Sequence, residues 1–313
     1  MTVAEAPTTA DAVAAVLELL ARPGVTDVLV NGPQEVWWDR GGGLERAPLR
    51  LADRESVRHI AVRLAAQGGR RLDDAQPVVD ARLRDGSRLH AVLEGVASGC
   101  TLISLRRLRV GAMTFADLEV AETFTRAQAG VLRELVDGRR SLLISGPTGS
   151  GKTTLLGALL SLVGADERVV VIEEAGELQP VHPHVVRLVE RRPNVDGAGA
   201  VEMSALVRES LRMRPDRVVL GECRGAEVRE VMMALNTGHS GGMATVHANA
   251  AAEVPARLVA LGSLAGMAPE TVAAQAAAAF DAVVHMERTS AGRRVADIVS
   301  LGCERGEMRT SPW

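Results

Sequence analysis

The sequence predicts an α/β protein in two parts: a small N-terminal α/β domain, then a larger domain built on a mostly parallel sheet. Three observations carry this expectation. From Ser141 onward, short apolar runs alternate with segments of helical period, the pattern of parallel strands joined by crossover helices. At the first such junction stands a glycine-rich loop, Gly146-Pro147-Thr148-Gly149-Ser150-Gly151-Lys152-Thr153. Before residue 109 the pattern is strand-and-turn around one helix, and 313 residues suffice for two domains.

Each element has its own signal. Residues 1–23 read as an acidic helix or arm after a Pro- and Thr-containing start. From Gly24, VTDVLVNGPQEVWWDRGGGL alternates apolar runs with the breakers Asn31-Gly32-Pro33 and Gly41-Gly42-Gly43. After a capping Asp53, Val57, Ile60, Ala61, Leu64 and Ala65 recur at helical spacing. Strand-like runs at Val78–Leu83, Arg88–Glu94 and Thr101–Leu108 complete a domain over 24–108, with 109–116 as linker and 117–313 as the second domain. There a helix at Ala127–Asp137 leads into the strand Ser141–Ser145. Strands follow at Val169–Glu174, Val185–Glu190, Arg217–Gly221 and Met243–Ala248, with helices at Met203–Met213, Ala226–Asn236 and Ala251–Leu264. The tail reads as two more strands around Ser290–Gly292.

Composition removes several function classes. With 36 basic against 39 acidic residues the net charge is −3, so no global electrostatic footprint for nucleic acid exists. Three Phe, three Trp and no Tyr offer little for base stacking. Cys100, Cys223 and Cys303 lie far apart without metal-ligand spacing, which argues against zinc and suits a reducing cytosol. The start lacks the basic region of a signal peptide, and no apolar stretch is long enough to span a bilayer. Any membrane association is expected to go through a partner or a surface patch. Of the 36 basic residues, Lys152 is the only lysine, and it sits inside the glycine loop. A compact ammonium there is not replaceable by a planar guanidinium.

That loop matches G-x-x-x-x-G-K-[ST] between an apolar strand and a helix. Glycines let backbone N–H groups wrap phosphate oxygens, and the helix N-terminus favours an anion. Lys152 is expected on the β- and γ-phosphates of ATP, and the Thr153 hydroxyl on Mg²⁺. Glu222 ends the apolar strand RVVLGE, where ligand crevices of such sheets lie, and is expected to orient the attacking water. Glu173, Glu174 and Glu177 close another strand; they either hold Mg²⁺ through water or face solvent. His239 and His247 lie eight residues apart without the spacing of a zinc site. His247 either bonds a phosphate or is an ordinary strand-end histidine, while His182 and His184 read as strand-entry residues.

GPTGSGKTT (146–154), VIEEAGEL (171–178), LRMRPDRVVLGECRG (211–225) and TGHSGGMATVHAN (237–249), in this order, resemble the secretion ATPases of type II and type IV secretion and type IV pilus motors. The likeness is greatest to tight-adherence (Flp) pilus and conjugal-transfer-associated members and covers roughly 24–300. The resemblance implies a RecA-like P-loop NTPase domain, and carries Thr154 with the phosphate loop. It makes Glu222 the catalytic base and Glu173, Glu174 and Glu177 the acidic box, with Glu174 standing where the second acid is often Asp. It makes His239 and His247 the His box, Arg224 an arginine of the site, and Arg88 and Arg106 arginines that reach nucleotide from the N-terminal domain. Arg107 beside Arg106 leaves that last assignment open by one position. The resemblance further implies a homo-hexamer acting on an inner-membrane platform protein from the cytoplasmic face. The missing tetracysteine module and long N-terminal extension count against the type II branch. A DNA-transfer motor and a nucleotide-gated scaffold with little turnover are the alternatives.

Overall fold

The computed structural model describes residues 9–107, 112–191, 198–289 and 292–313, in two compact units that divide between Val110 and Gly111. The last residue of the expected first domain, 108, part of the expected linker, 109–111, and the turn residues 290–291 lie outside the described residues.

The first unit runs α1 (Thr9–Ala21), β1 (Asp27–Gly32), β2 (Glu35–Asp39), β3 (Leu44–Arg46), α2 (Arg54–Gln67), β4 (Val78–Arg82), β5 (Arg88–Val92) and β6 (Leu102–Arg106). Its strands form one antiparallel sheet in the order β3-β2-β1-β6-β5-β4. Period-2 patterning sets the buried face, with Val28 and Val30 of β1, Leu89 and Ala91 of β5, and Ile103 and Leu105 of β6 all buried. Helix α2 begins where Asp53 accepts the Ser56 N–H at 2.8 Å, and it buries the five apolar residues expected from its spacing. Helix α1 adds Val16, Leu19 and Leu20 to the same core.

The second unit runs α3 (Phe115–Val120), α4 (Arg126–Asp137), β7 (Leu142–Gly146), α5 (Lys152–Leu160), β8 (Val169–Glu173), β9 (Val185–Val189), α6 (Met203–Ser210), β10 (Arg217–Cys223), α7 (Val228–Asn236), β11 (Met243–His247), α8 (Val254–Leu264), α9 (Pro269–Ala279), β12 (Ala282–Thr289), β13 (Gly292–Glu304) and β14 (Glu307–Pro312). The eight strands lie in the order β14-β13-β12-β7-β11-β10-β8-β9. The mostly parallel sheet is present: β12 through β9 are parallel, and β13 and β14 are added antiparallel at one edge. Strands β7 and β8 are buried along their whole length, as their unbroken apolar runs require when helices cover both faces. Alternation along β7 sends Leu142 and Ile144 into one core and Leu143 into the other. This order brings the carboxyl ends of β7, β11, β10 and β8 together along one rim, where ligands bind in open α/β sheets.

Helices α3 and α9 and strand β14 have no counterpart in the sequence reading. Six of the eleven residues of helix α9 are alanine, so its buried and exposed faces carry little apolar contrast. Strand β14 is a polar edge segment paired with β13.

At the start of β10, Arg217 is 2% exposed. Its guanidinium holds both Glu167 oxygens at 3.0 Å and the Val136 carbonyl at 3.0 Å. Removing one partner of a buried charged pair strands the other. Arg217→Ala should therefore lower the unfolding free energy of the second unit by about 3 kcal/mol, read from its transition in denaturant.

Candidate active site

The phosphate loop leaves β7 at Gly146 and enters α5 at Lys152, with Gly151 as N-cap. Gly149 (φ +74°) and Gly151 (φ +97°) occupy the left-handed region that L side chains avoid. A Cβ on Gly146 would collide with the Met286 carbonyl oxygen of β12. The turn leaves the first N–H groups of α5 facing the loop, the arrangement that binds anions. Pro147 is half-buried, Thr148 and Thr154 are exposed, Thr153 is half-buried, and the fully buried Ser150 hydroxyl has no partner among the described residues.

Lys152 is only 7% exposed. Its ammonium donates to the Gly146 carbonyl at 2.9 Å, the Pro147 carbonyl at 3.0 Å and His247 Nδ1 at 3.1 Å. Burial pushes its pKa down and Arg224 adds to that, while Glu222 opposes. Because Lys152 donates to Nδ1, the proton of a neutral His247 ring sits on Nε2, which faces Glu222 in direct contact. Burial, Lys152 and Arg224 hold the His247 pKa below the usual histidine value against the pull of Glu222, which fits that neutral tautomer. His247 ends β11 opposite Gly146 of β7, so two adjacent parallel strands set the Lys152–His247 distance.

Glu222, near the end of β10, also accepts from Arg224 at 2.6 Å, and Arg224 bridges to Glu174. Lys152, His247, Glu222, Arg224 and Glu174 thus form one continuous polar chain across the rim. Glu173, 4% exposed, accepts the Leu178 N–H at 2.7 Å and the backbone N–H of Glu177, and so folds the 174–178 loop. Burial pushes its carboxyl pKa up. Its Oε2 is buried with no partner among the described residues. The same residues hold no cluster of three or more His, Cys, Asp or Glu able to cage a metal. Magnesium, however, keeps waters and substrate phosphates as ligands. The Thr153 hydroxyl and the orphaned Glu173 oxygen suit such a partly hydrated ion.

The contacts of the remaining expected site residues are made within their own units. The His239 ring is 3.3 Å from the Ala234 carbonyl within its own turn after α7. Arg88 and Arg106 belong to the first unit, directly opposite one another on β5 and β6, where Arg106 donates to Asp27 at 2.9 Å. Arg107 follows the strand and bonds the Ala21 carbonyl at 3.2 Å.

Three supporting residues escaped the sequence reading. A Cβ on Gly221 would lie 2.8 Å from Glu173 Cγ, so glycine is needed for β10 to pass β8 at the acidic cluster. Arg293 of β13 donates to the Gly149 carbonyl at 2.8 Å. The buried His285 of β12 lies 2.9 Å from the Ser145 hydroxyl. Only the Gly-Glu dipeptide gave a local sign of the first, and nothing in sequence spacing announced the other two.

The fold and the loop together define a P-loop ATPase of RecA-like architecture. The chain belongs to the family described as Type II/IV secretion system protein, whose model matches residues 9–294. It is 50% identical over 304 residues to a putative conjugal transfer protein of Mycobacterium tuberculosis, covering 95% of this chain and 86% of that one. It is 30% identical to the type IV secretion system protein PtlH of Bordetella pertussis, covering 89% and 91% of the two chains. Among solved structures it resembles the pilus retraction motor PilT with bound ADP (TM-score 0.67, 20% identity, covering 92% of this chain and 82% of that one), a likeness of fold.

Two predictions follow from the geometry. Gly146→Ala should reduce nucleotide affinity by on the order of 100-fold in equilibrium binding, because the new Cβ displaces the loop from β12. The second concerns the half-buried His247 and the buried His285, whose pKa values are both pushed below the ordinary value of about 6.5. The unfolded chain takes up those protons first, so the stability they contribute is present above about pH 6.5 and lost as pH falls through the folded-state values. The melting temperature of the second unit should fall on acidification, and His285→Gln should make that fall shallower.

Proposed function

We propose that the chain is a Mg²⁺-dependent ATP-hydrolysing motor that powers assembly of a pilus or secretion apparatus at the cytoplasmic face of a membrane. The observation that carries this reading is the contact chain Lys152–His247–Glu222 along the rim of the parallel sheet, beside a glycine loop ready for phosphates. In this reading the loop N–H groups and Lys152 bind the β- and γ-phosphates. Glu222 takes a proton from the attacking water while His247 and Arg224 fix the carboxylate. All three ammonium protons of Lys152 have acceptors within 3.1 Å, so an incoming phosphate must displace at least one of them. Displacing His247 would tell the Glu222 side of the site that nucleotide has arrived. Magnesium, held by Thr153 and through water by Glu173, would neutralise phosphate charge when bound. Glu174 is already committed to Arg224 and Glu177 to the loop turn, so their support is indirect.

The working assembly in this reading is a homo-hexamer that engages an inner-membrane platform protein. Among the described residues no helix is long and apolar enough to cross a membrane, which suits peripheral attachment through such a partner. Arg88 and Arg106 share one face of the first unit's sheet, because directly opposed cross-strand residues do. They are proposed to reach the phosphates when that unit closes over nucleotide. His239 is proposed to act in the same closed state.

A second reading, a motor of a DNA-transfer system, is favoured by the likeness to the putative conjugal transfer protein of Mycobacterium tuberculosis. It shares the same chemistry and differs in cargo.

Glu222→Gln should keep ATP binding and lower kcat by about 10²–10⁴-fold, whereas Lys152→Ala should weaken binding itself. Steady-state phosphate release and a fluorescent-nucleotide titration separate the two. Specific activity of the unmodified chain should rise with protein concentration as subunits assemble; a flat profile would remove the oligomer from the proposal.

A further inference from the structure

We propose that Arg288, near the end of β12, is a phosphate-binding residue of the nucleotide site, gripping the phosphate chain from the side of the loop opposite Lys152. The proposal rests on the ATPase reading above and adds to it a cation that the loop motif does not contain.

The β12–β13 hairpin is the wall on which the phosphate loop lies. A Cβ on Gly146 would run into the Met286 carbonyl oxygen. One on Gly151 would stand 3.1 Å from Arg293 Cδ and 3.5 Å from Met286 Cε, and one on Gly149 would stand 3.9 Å from Arg288 Nη1. The hairpin register pairs Met286 with Val295 and Arg288 with Arg293. Met286 and Val295 are buried in the core that α5 also joins. Side chains two residues apart on a strand share a face, so Arg288 and Arg293 emerge on that face about 7 Å further along, beside the loop. Glu287 and Arg294 take the other face and contact each other. The acid next in sequence to Arg288 is thus spent on a different arginine.

The two opposed guanidiniums have different tasks. Arg293 Nε donates to the Gly149 carbonyl at 2.8 Å. Arg288 is exposed and makes no hydrogen bond or ion pair with a described residue. Like charges directly opposite one another on a sheet repel, and an anion between them offsets that cost. The strand order supplies the geometry, because β11 and β12 flank β7 on its two sides. From one side β11 brings His247 to Lys152, and from the other β12 brings Arg288 to Gly149. On the β11 side Arg224 is already paired with Glu222 and Glu174, so the charge offered to phosphate there is that of Lys152. A guanidinium can hold two phosphate oxygens at once, and its long stem lets it close on a chain seated in the loop.

The test uses the full chain with Arg288→Gln, which removes the charge, and Arg288→Lys, which keeps it. Arg294→Gln serves as the control, since it removes one positive charge from the other face of the same hairpin. Affinities for ATP, ADP and inorganic tripolyphosphate are measured by displacement of a fluorescent nucleotide, together with thermal unfolding. The expected result is affinity about tenfold weaker for all three ligands in Arg288→Gln, recovered to within about threefold by Arg288→Lys and changed by less than about twofold in Arg294→Gln. Without ligand, the melting temperature of Arg288→Gln should not fall, because repulsion with Arg293 is relieved. Its rise on adding ATP should be smaller than in the unmodified chain. Unchanged affinity in Arg288→Gln overturns the proposal. A loss confined to ATP and ADP also overturns it, because the arginine would then touch the nucleoside. An equal loss in Arg294→Gln does the same, because the effect would then be one of overall charge. An unmodified chain that binds neither ATP nor tripolyphosphate overturns the ATPase reading and this proposal with it. Binding and turnover in the unmodified chain, with Arg288→Gln unaffected, overturn the proposal alone.

Discussion

Everything at the rim of the second unit is arranged around one buried ammonium. Lys152 cannot shed its charge into water, so it is held by two backbone carbonyls of its own loop and by an imidazole from a neighbouring strand. Each of those acceptors imposes a condition elsewhere. The carbonyls face inward only because Gly146, Gly149 and Gly151 adopt backbone geometry closed to other residues. The imidazole is in place only because β11 lies parallel to β7 with His247 opposite Gly146. The tautomer that Lys152 imposes leaves the ring proton on Nε2, the atom in contact with Glu222, and Glu222 in turn engages Arg224. A charge that must be compensated in a low-dielectric site thus organises three strands and a loop.

The acidic side of the site divides its labour between two environments. Glu222 and Glu174 are paired with Arg224, whereas Glu173 is sunk in the protein, with burial pushing its carboxyl toward the protonated form. Two of its contacts are backbone N–H groups of the next turn, which makes it a structural anchor of the acidic loop as well as a donor oxygen beside the site. Glycine at 221 is the counterpart of that choice, since β10 must pass close to the Glu173 side chain. Carboxylates adjacent in sequence therefore differ in burial and in the partners that hold them, a distinction created by packing.

Much of this molecule is legible locally. The Asp53 cap, the apolar stripe of α2, the buried runs of β7 and β8 and the strand–loop–helix at 142–160 are all short-range patterns, and the structure places them where those patterns do. Helix α9 and strand β14 were hidden for a related reason: an alanine-rich helix and a polar edge strand lack the contrast by which period is read. At the site, Lys152 and Glu222 stand out in sequence, one as the sole lysine and the other at a strand end. The meeting of Lys152 and His247 spans 95 residues, and that of Ser145 and His285 spans 140. Neither separation leaves a periodic trace.

The sequence by itself determined the chemistry on offer: a phosphate loop, its lysine, a strand-end glutamate and a histidine at the end of another strand. It could do so because each of these depends on backbone geometry within one loop or one strand terminus. Only the tertiary structure decided which of them meet. The order β12-β7-β11-β10-β8 is set by long-range strand pairing and by two cores packed on opposite faces, which are properties of the whole sheet. That order brings His247 between Lys152 and Glu222, ties Glu174 to the same chain through Arg224, and seats His285 beneath the loop.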